Sequence, residues 1–82
     1  MGKNSQTKDE KFVIALYEKT QQLDDPEDYI DSYEIGGGVG MPPRQVDAIC
    51  TQLMRANFVK RRDKHFVSLT PQGVRLAESL LY

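Results

Sequence analysis

All four prolines of this 82-residue chain stand where a helix can begin. Proline lacks a backbone N–H and fixes φ at about −65°, so a helix tolerates it only in the first turn. Pro26, the pair Pro42-Pro43, and Pro71 therefore mark three helix starts. Asp25 and Thr70 supply capping oxygens just ahead, and Glu27 and Asp28 suit the positive end of a helix dipole. Before Pro26 lies one more amphipathic stretch, so the punctuation predicts four helices, at 8 or 9 to 23, 26–36, 43–56 and 71–82. Gly36-Gly37-Gly38 reads as the stop of the second, with a turn over Gly36 to Met41. Asn57 is a left-handed terminating residue for the third.

Between the third and fourth helices, Phe58–Arg62 and His65–Thr70 read as two strands joined by a tight turn at Asp63-Lys64. Phe58 is the expected inward residue of the first, with Phe66 or Val67 and Leu69 on the second. The predicted fold is mainly α with a small β-hairpin (α+β), in the order α-α-α-β-β-α. One domain is expected over 8–82, with a flexible tail over 1–7. A chain this short buries only about 60% of the surface its unfolded form exposes, which favours a binding module over an enzyme cleft. No nucleophile–base pair is evident, so no enzyme is expected. Cys50 is the only cysteine, so neither a disulfide nor a zinc site is available, and the residues call for no cofactor or metal. A reducing, cytoplasmic setting fits. No run approaches the ~18 apolar residues of a membrane span.

Helical spacing assigns the faces. In the first helix Phe12, Ala15, Leu16 and Leu23 form the core stripe, and Val13, Ile14 and Tyr17 fall outside it. Tyr29, Ile30 and Tyr33 point inward from the second. In the third, Val46, Ile49, Cys50 and Leu53 share one side, and Arg44, Ala48, Thr51, Gln52 and Arg55 the other. Asp47 stays on the flank.

The order of elements, with Met41-Pro-Pro-Arg-Gln-Val46, Leu53-Met-Arg-Ala-Asn-Phe-Val59 and Leu69-Thr-Pro-Gln-Gly73, resembles winged helix-turn-helix regulators of bacteria and archaea, in particular the MarR-type and PadR-type repressors. The resemblance runs roughly from Pro26 to Leu81. It implies that the third helix enters the major groove of double-stranded DNA, that the hairpin is the wing, and that the terminal helices form a two-fold dimer. The glycine-rich turn departs from the family, whose turn is usually shorter. It lacks the Gly-Lys-Ser/Thr ending of a phosphate-binding loop.

The residues support this reading on their own chemistry. Arg44 can fork onto a guanine, and Gln45 or Gln52 can pair with an adenine, while Thr51 and Arg55 suit phosphate. Ala48 keeps the face low. Lys60, Arg61, Arg62 and Lys64 crowd four cations at the hairpin tip, where a phosphate backbone would relieve their repulsion. Charge is unevenly spread along the chain. Residues 1–41 carry four lysines and nine acids, a net −5, whereas residues 42–82 carry seven bases and three acids, a net +4. The expected picture is a cationic wing beside an acid-poor helix face, with the carboxylates of the first half turned elsewhere.

Plainer readings stand beside it. A polar helix face can be merely solvated, and cations at a hairpin can merely block a sheet edge. His65 reads as a surface residue and Cys50 as an inert core thiol. Val13, Ile14 and Tyr17, with Leu76, Leu80 and Tyr82, either form a homodimer surface through helices 8–23 and 71–82 or pack on each other within one chain. The acidic helix 26–36 would suit a basic protein partner, so a winged-helix protein-interaction module is the alternative to a transcriptional regulator.

Overall fold

In the computed structural model, which describes residues 7–82, the chain opens on a capped helix. Helix α1 spans Lys8–Thr20; the Thr7 side chain accepts from the Glu10 amide, and the Glu10 carboxylate accepts from the Thr7 amide. This reciprocal box satisfies two amide groups that have no partner inside the helix. Thr7 thus belongs to the helix start, and the rest of the expected tail, residues 1–6, lies outside the described residues. The helix ends at Thr20, so Leu23 sits in the turn beyond it, half-buried against the core.

The buried face of α1 is Phe12, Val13, Leu16, Tyr17 and Thr20. This corrects the expected stripe: Val13 is 0% exposed and Tyr17 8%. The helix packs against other elements on two sides, so a second apolar side is needed inside the chain.

The largest departure lies between residues 24 and 36. Asp25 does form a turn, its carboxylate accepting from the Glu27 amide at 2.9 Å and its carbonyl from the Asp28 amide at 3.0 Å. No helix grows from that turn. Ile30–Asp31 is instead a short strand, β1, and helix α2 runs Ser32–Gly38 with Asp31 as its cap. Tertiary pairing overrides the local start signal here. Ile30 pairs with Val67, and the Ser68 hydroxyl donates to the Glu27 carbonyl at 3.1 Å. Helix α2 also continues through all three glycines. It closes in a Schellman arrangement, with Gly40 at φ 76° and the Met41 amide donating to the Gly36 carbonyl at 2.8 Å. The left-handed position belongs to Gly40, not to the Gly36–Gly38 run.

Helix α3 spans Pro43–Arg55 and ends the same way, on Asn57 at φ 64° with the Phe58 amide donating to the Leu53 carbonyl. Strands β2 (Val59–Arg62) and β3 (Phe66–Leu69) follow, then helix α4 (Pro71–Leu81). The hairpin loop is three residues long, 63–65: Arg62 pairs with Phe66, Asp63 and Lys64 both take positive φ, and the His65 amide donates to the Asp63 carbonyl at 2.8 Å. The sheet has three antiparallel strands in the order β1-β3-β2. Val59, 3% exposed, is the inward residue of β2 in place of the expected Phe58, which only half-buries.

Thr70 joins the wing to α4: its hydroxyl donates to the Asn57 carbonyl at 2.6 Å and accepts from the Gly73 amide at 3.0 Å. The core gathers Phe12, Leu16, Val46, Leu53 and Val67 between α1, the α2–α3 pair and the sheet. Among the described residues no helix is long and apolar enough to cross a membrane.

Candidate nucleic-acid interface

The buried stripe of α3 is Val46, Ile49, Cys50 and Leu53, as the spacing predicts. Its outer face follows from that placement. Arg44, Ala48, Gln52 and Arg55 are exposed, and Gln45 and Thr51 are half-buried at the rim. None of Arg44, Gln45, Gln52 or Arg55 joins a side-chain hydrogen bond or ion pair among the described residues, so their donors face solvent. Thr51 is different: its hydroxyl donates back to the Asp47 carbonyl at 3.0 Å. Such back-bonding leaves only its lone pairs to an outside group.

The wing places its cations on two faces. Antiparallel register puts Arg61 opposite Val67, on the core side of the sheet, and Lys60 and Arg62 opposite Ser68 and Phe66, on the outer side. All four of Lys60, Arg61, Arg62 and Lys64 are exposed. Arg61 lies on the α3 side, close enough for its charge to act on the Cys50 thiol, as does the Ser32 hydrogen bond. Burial is the larger effect and pushes that thiol above its usual range. The cluster expected at the tip is therefore divided, with one arginine toward α3 and a lysine–arginine pair facing away.

Acidic side chains also stand closer to the cations than the sequence picture has them. Asp31, Tyr33, Asp47 and His65 form one network where α2, α3 and the wing meet. The Tyr33 hydroxyl donates to Asp47 at 2.8 Å, and its ring stacks on His65 at 4.7 Å between centroids. His65 Nδ1 lies 2.9 Å from the Asp31 carboxylate, which also accepts from the Tyr33 amide at 2.9 Å. Burial tends to raise the Asp31 pKa. The His65 bond, the Tyr33 amide, the His65 charge and the Glu34 amide outweigh that and hold it below the usual carboxylate value. Tyr33 moves the other way: the Asp47 hydrogen bond, burial and nearby negative charge raise its phenol above the usual range.

His65 is thus half-buried and engaged, rather than a plain surface residue. Asp47 stays at the flank of the α3 face, as expected, but tethered. The sequence reading missed Asp31, Tyr33 and His65 as a unit. The available signal was the Tyr29-Ile30-Asp31 alternation, masked by the stronger helix-start pattern at Pro26.

The acidic loop 24–28 runs beside the outer face of the wing. Pro26 and Glu27 line a cleft of about 430 Å³ together with Lys60, Leu69, Pro71 and Val74. The carboxylates of the first half are therefore not all turned away from the basic wing. Among the described residues no group of His, Cys, Asp or Glu is arranged to hold a metal ion.

No protein-family model matches the chain, and no curated protein matches it. Two solved structures do. MepR, a transcription regulator of the Staphylococcus aureus multidrug efflux pump MepA, superposes with a TM-score of 0.71 at 17% identity, covering 95% of this chain and 57% of that one. A MarR family protein of Mycobacterium tuberculosis gives 0.66 at 20%, covering 95% and 53%. The chain spans little more than half the length of either. At this identity the likeness shows the fold: four helices and a small antiparallel sheet in the winged helix-turn-helix arrangement of MarR-type proteins.

Proposed function

We propose that this chain is a cytoplasmic, sequence-specific transcriptional regulator that binds double-stranded DNA. It would lay α3 in the major groove and rest the wing on the backbone. One observation carries the reading. Arg44, Gln45, Gln52 and Arg55 on α3, and Lys60, Arg61 and Lys64 on the wing, present side chains with no hydrogen-bond or ion-pair partner among the described residues. Arg44, Gln45 and Ala48 sit toward the start of the helix, where this motif meets base edges, and Thr51 and Arg55 lie nearer phosphate. Lys60, Arg61, Arg62 and Lys64 supply the charge that displaces counterions. A homodimer through α1 and α4 would use Ile14, Leu80 and the 91%-exposed Tyr82, since Val13 and Tyr17 are taken up inside the chain.

The test is a salt titration on random duplex. Replacing Arg61 and Arg62 by Ala weakens binding to all sequences alike and lowers the slope of log K against log salt by roughly 0.9 per lost phosphate contact. Arg44→Ala instead relaxes sequence preference, by about 1–3 kcal/mol at one base pair. Absence of any complex at low salt, or unchanged slopes, refutes the reading. The exposed acidic loop 24–28 favours a second one, a protein-interaction module, and duplex binding at the low-salt end of the same titration separates the two.

A further inference from the structure

The outer face of the sheet carries an arrangement that the groove-facing residues do not explain. Tyr29 immediately precedes β1. Its neighbour Ile30 is buried and paired with Val67, so alternation turns Tyr29 to the side that holds Lys60 and Arg62. The Arg62 guanidinium carbon lies 4.2 Å from the centre of the Tyr29 ring, and Lys60 Nζ lies 5.9 Å from it. The chain on either side is held: Ile30 by its pairing, and Glu27 by the hydrogen bond its carbonyl accepts from Ser68. The backbone that carries the ring is therefore held, and the long arginine side chain lies over the ring's face. Among the described residues the one carboxylate paired with that head, Asp63, lies 3.9 Å from Nε, and the terminal nitrogens have no carboxylate partner.

We propose that Tyr29 is a positioning residue for the wing, holding Arg62 against the sheet so that its N–H edge is presented to a DNA phosphate. A guanidinium bound through its π-face keeps its donors in plane and unused, so ring and phosphate can engage the same head together. Arg62 is otherwise a flexible side chain, 64% exposed, that a phosphate would have to immobilise. Holding it beforehand removes part of that cost. The inference rests on the DNA-binding reading and adds to it the residue that makes one wing contact effective.

The test compares Tyr29→Phe, Tyr29→Leu, Arg62→Lys, Arg62→Ala and the Tyr29→Leu/Arg62→Ala double variant. Affinity for a random-sequence duplex is measured by fluorescence anisotropy, and the Arg62 side-chain protons are followed by NMR. Tyr29→Phe keeps wild-type affinity. Tyr29→Leu weakens binding by about two- to fivefold, the range an exposed cation–π contact supports. Arg62→Lys, which retains the charge and leaves the sheet untouched, shows a comparable loss. Once Arg62 is Ala, Tyr29→Leu has no further effect. The Arg62 δ-methylene protons are shifted upfield by the ring in the wild type and in Tyr29→Phe, and return to ordinary positions in Tyr29→Leu. Wild-type binding that is indifferent to Tyr29→Leu, or a Tyr29→Leu loss that persists in full without Arg62, overturns this proposal and leaves the DNA reading standing. A wild type that forms no complex at low salt overturns both.

Discussion

Three consecutive glycines in α2 should respond to alanine with opposite signs. A Cβ built on Gly36 would stand 2.2 Å from Cγ2 of Val46 on α3, whereas one built on Gly37 or Gly38 meets nothing within 4 Å. Val46 is 0% exposed, and a β-branched side chain in a helix has one strongly preferred χ1, so the methyl has nowhere to turn. The two helices must separate instead. Overpacking of this kind costs about 1–3 kcal/mol, and a clash this close belongs at the upper end. Alanine gains about 1 kcal/mol over glycine in a helix, which offsets part of it.

The expected net loss for Gly36→Ala is therefore about 2 kcal/mol, or a Tm lower by roughly 8–16 °C for a domain of this size. Gly37→Ala and Gly38→Ala receive only the gain, about 0.5–1 kcal/mol each, and raise Tm by a few degrees. Thermal and urea denaturation followed by circular dichroism measure all three. Val46→Ala removes the offending methyl, so in that background Gly36→Ala becomes neutral or stabilising. A Gly36→Ala protein as stable as Gly37→Ala would refute the reasoning, because it would mean that the glycines form a loose turn and that α2 does not reach α3 at Gly36.

Thr70→Ala loses both the α4 cap and the tie to the Asn57 carbonyl, and should cost about 1–2 kcal/mol in urea denaturation; Thr70→Ser, which keeps the hydroxyl, restores most of it. Asp31 makes stability depend on acid. Its folded pKa is depressed, so its contribution is complete above the unfolded value of 3.8 and disappears as pH falls through the lower folded value. Asp31→Asn, which can still cap α2, should flatten that acid limb in denaturation curves taken at successive pH values. Tyr33 acts at the other end of the scale: its raised phenol pKa gives stability that is present below the unfolded value of 10.0 and lost as pH rises through the folded one. Asp47→Asn should bring the Tyr33 ionisation back toward its ordinary range in a spectrophotometric titration.

What was legible in the sequence were the features whose cause is local. The wing turn at Asp63-Lys64, the left-handed Asn57, the Thr70-Pro71 start and the α3 stripe each follow from a few neighbouring residues, and the structure has all of them. The α3 face was legible too, because a helix with one buried stripe has one outside. Residues 24–36 were not. Their local signals favour a helix from Pro26, while the deciding interactions come from Val67 and Ser68, far along the chain. Misplacing that segment hid the strand, and the strand is what puts Tyr29 beneath Arg62 and Asp31 against His65. Gly36 misled for a related reason. In sequence it looks like a helix stop, whereas its lack of a side chain serves the close approach of Val46.

The same pairing bears on how the proposed interface would tolerate acids so near its cations. Asp31 is engaged by His65 and the Tyr33 amide, Asp47 by the Tyr33 hydroxyl, and Asp63 lies nearest to Arg62. Asp31 and Asp47 engage groups that fix α3 and the wing against α2, whereas Asp63 stays 77% exposed at the wing turn. Arg44, Arg55, Arg61 and Lys64 have no such counterpart among the described residues. Positive charge can then still be presented on this side, because the two acids beside it, Asp31 and Asp47, are engaged in holding the geometry and these four cations are not. Tyr33 stands at the centre of that division, with its hydroxyl on one acid, its amide on another and its ring on the histidine between the wing and β1. Geometry and charge at this interface are for that reason coupled through one side chain. A change at Tyr33 should alter both, whereas a change at Arg44 or Arg55 alters charge alone.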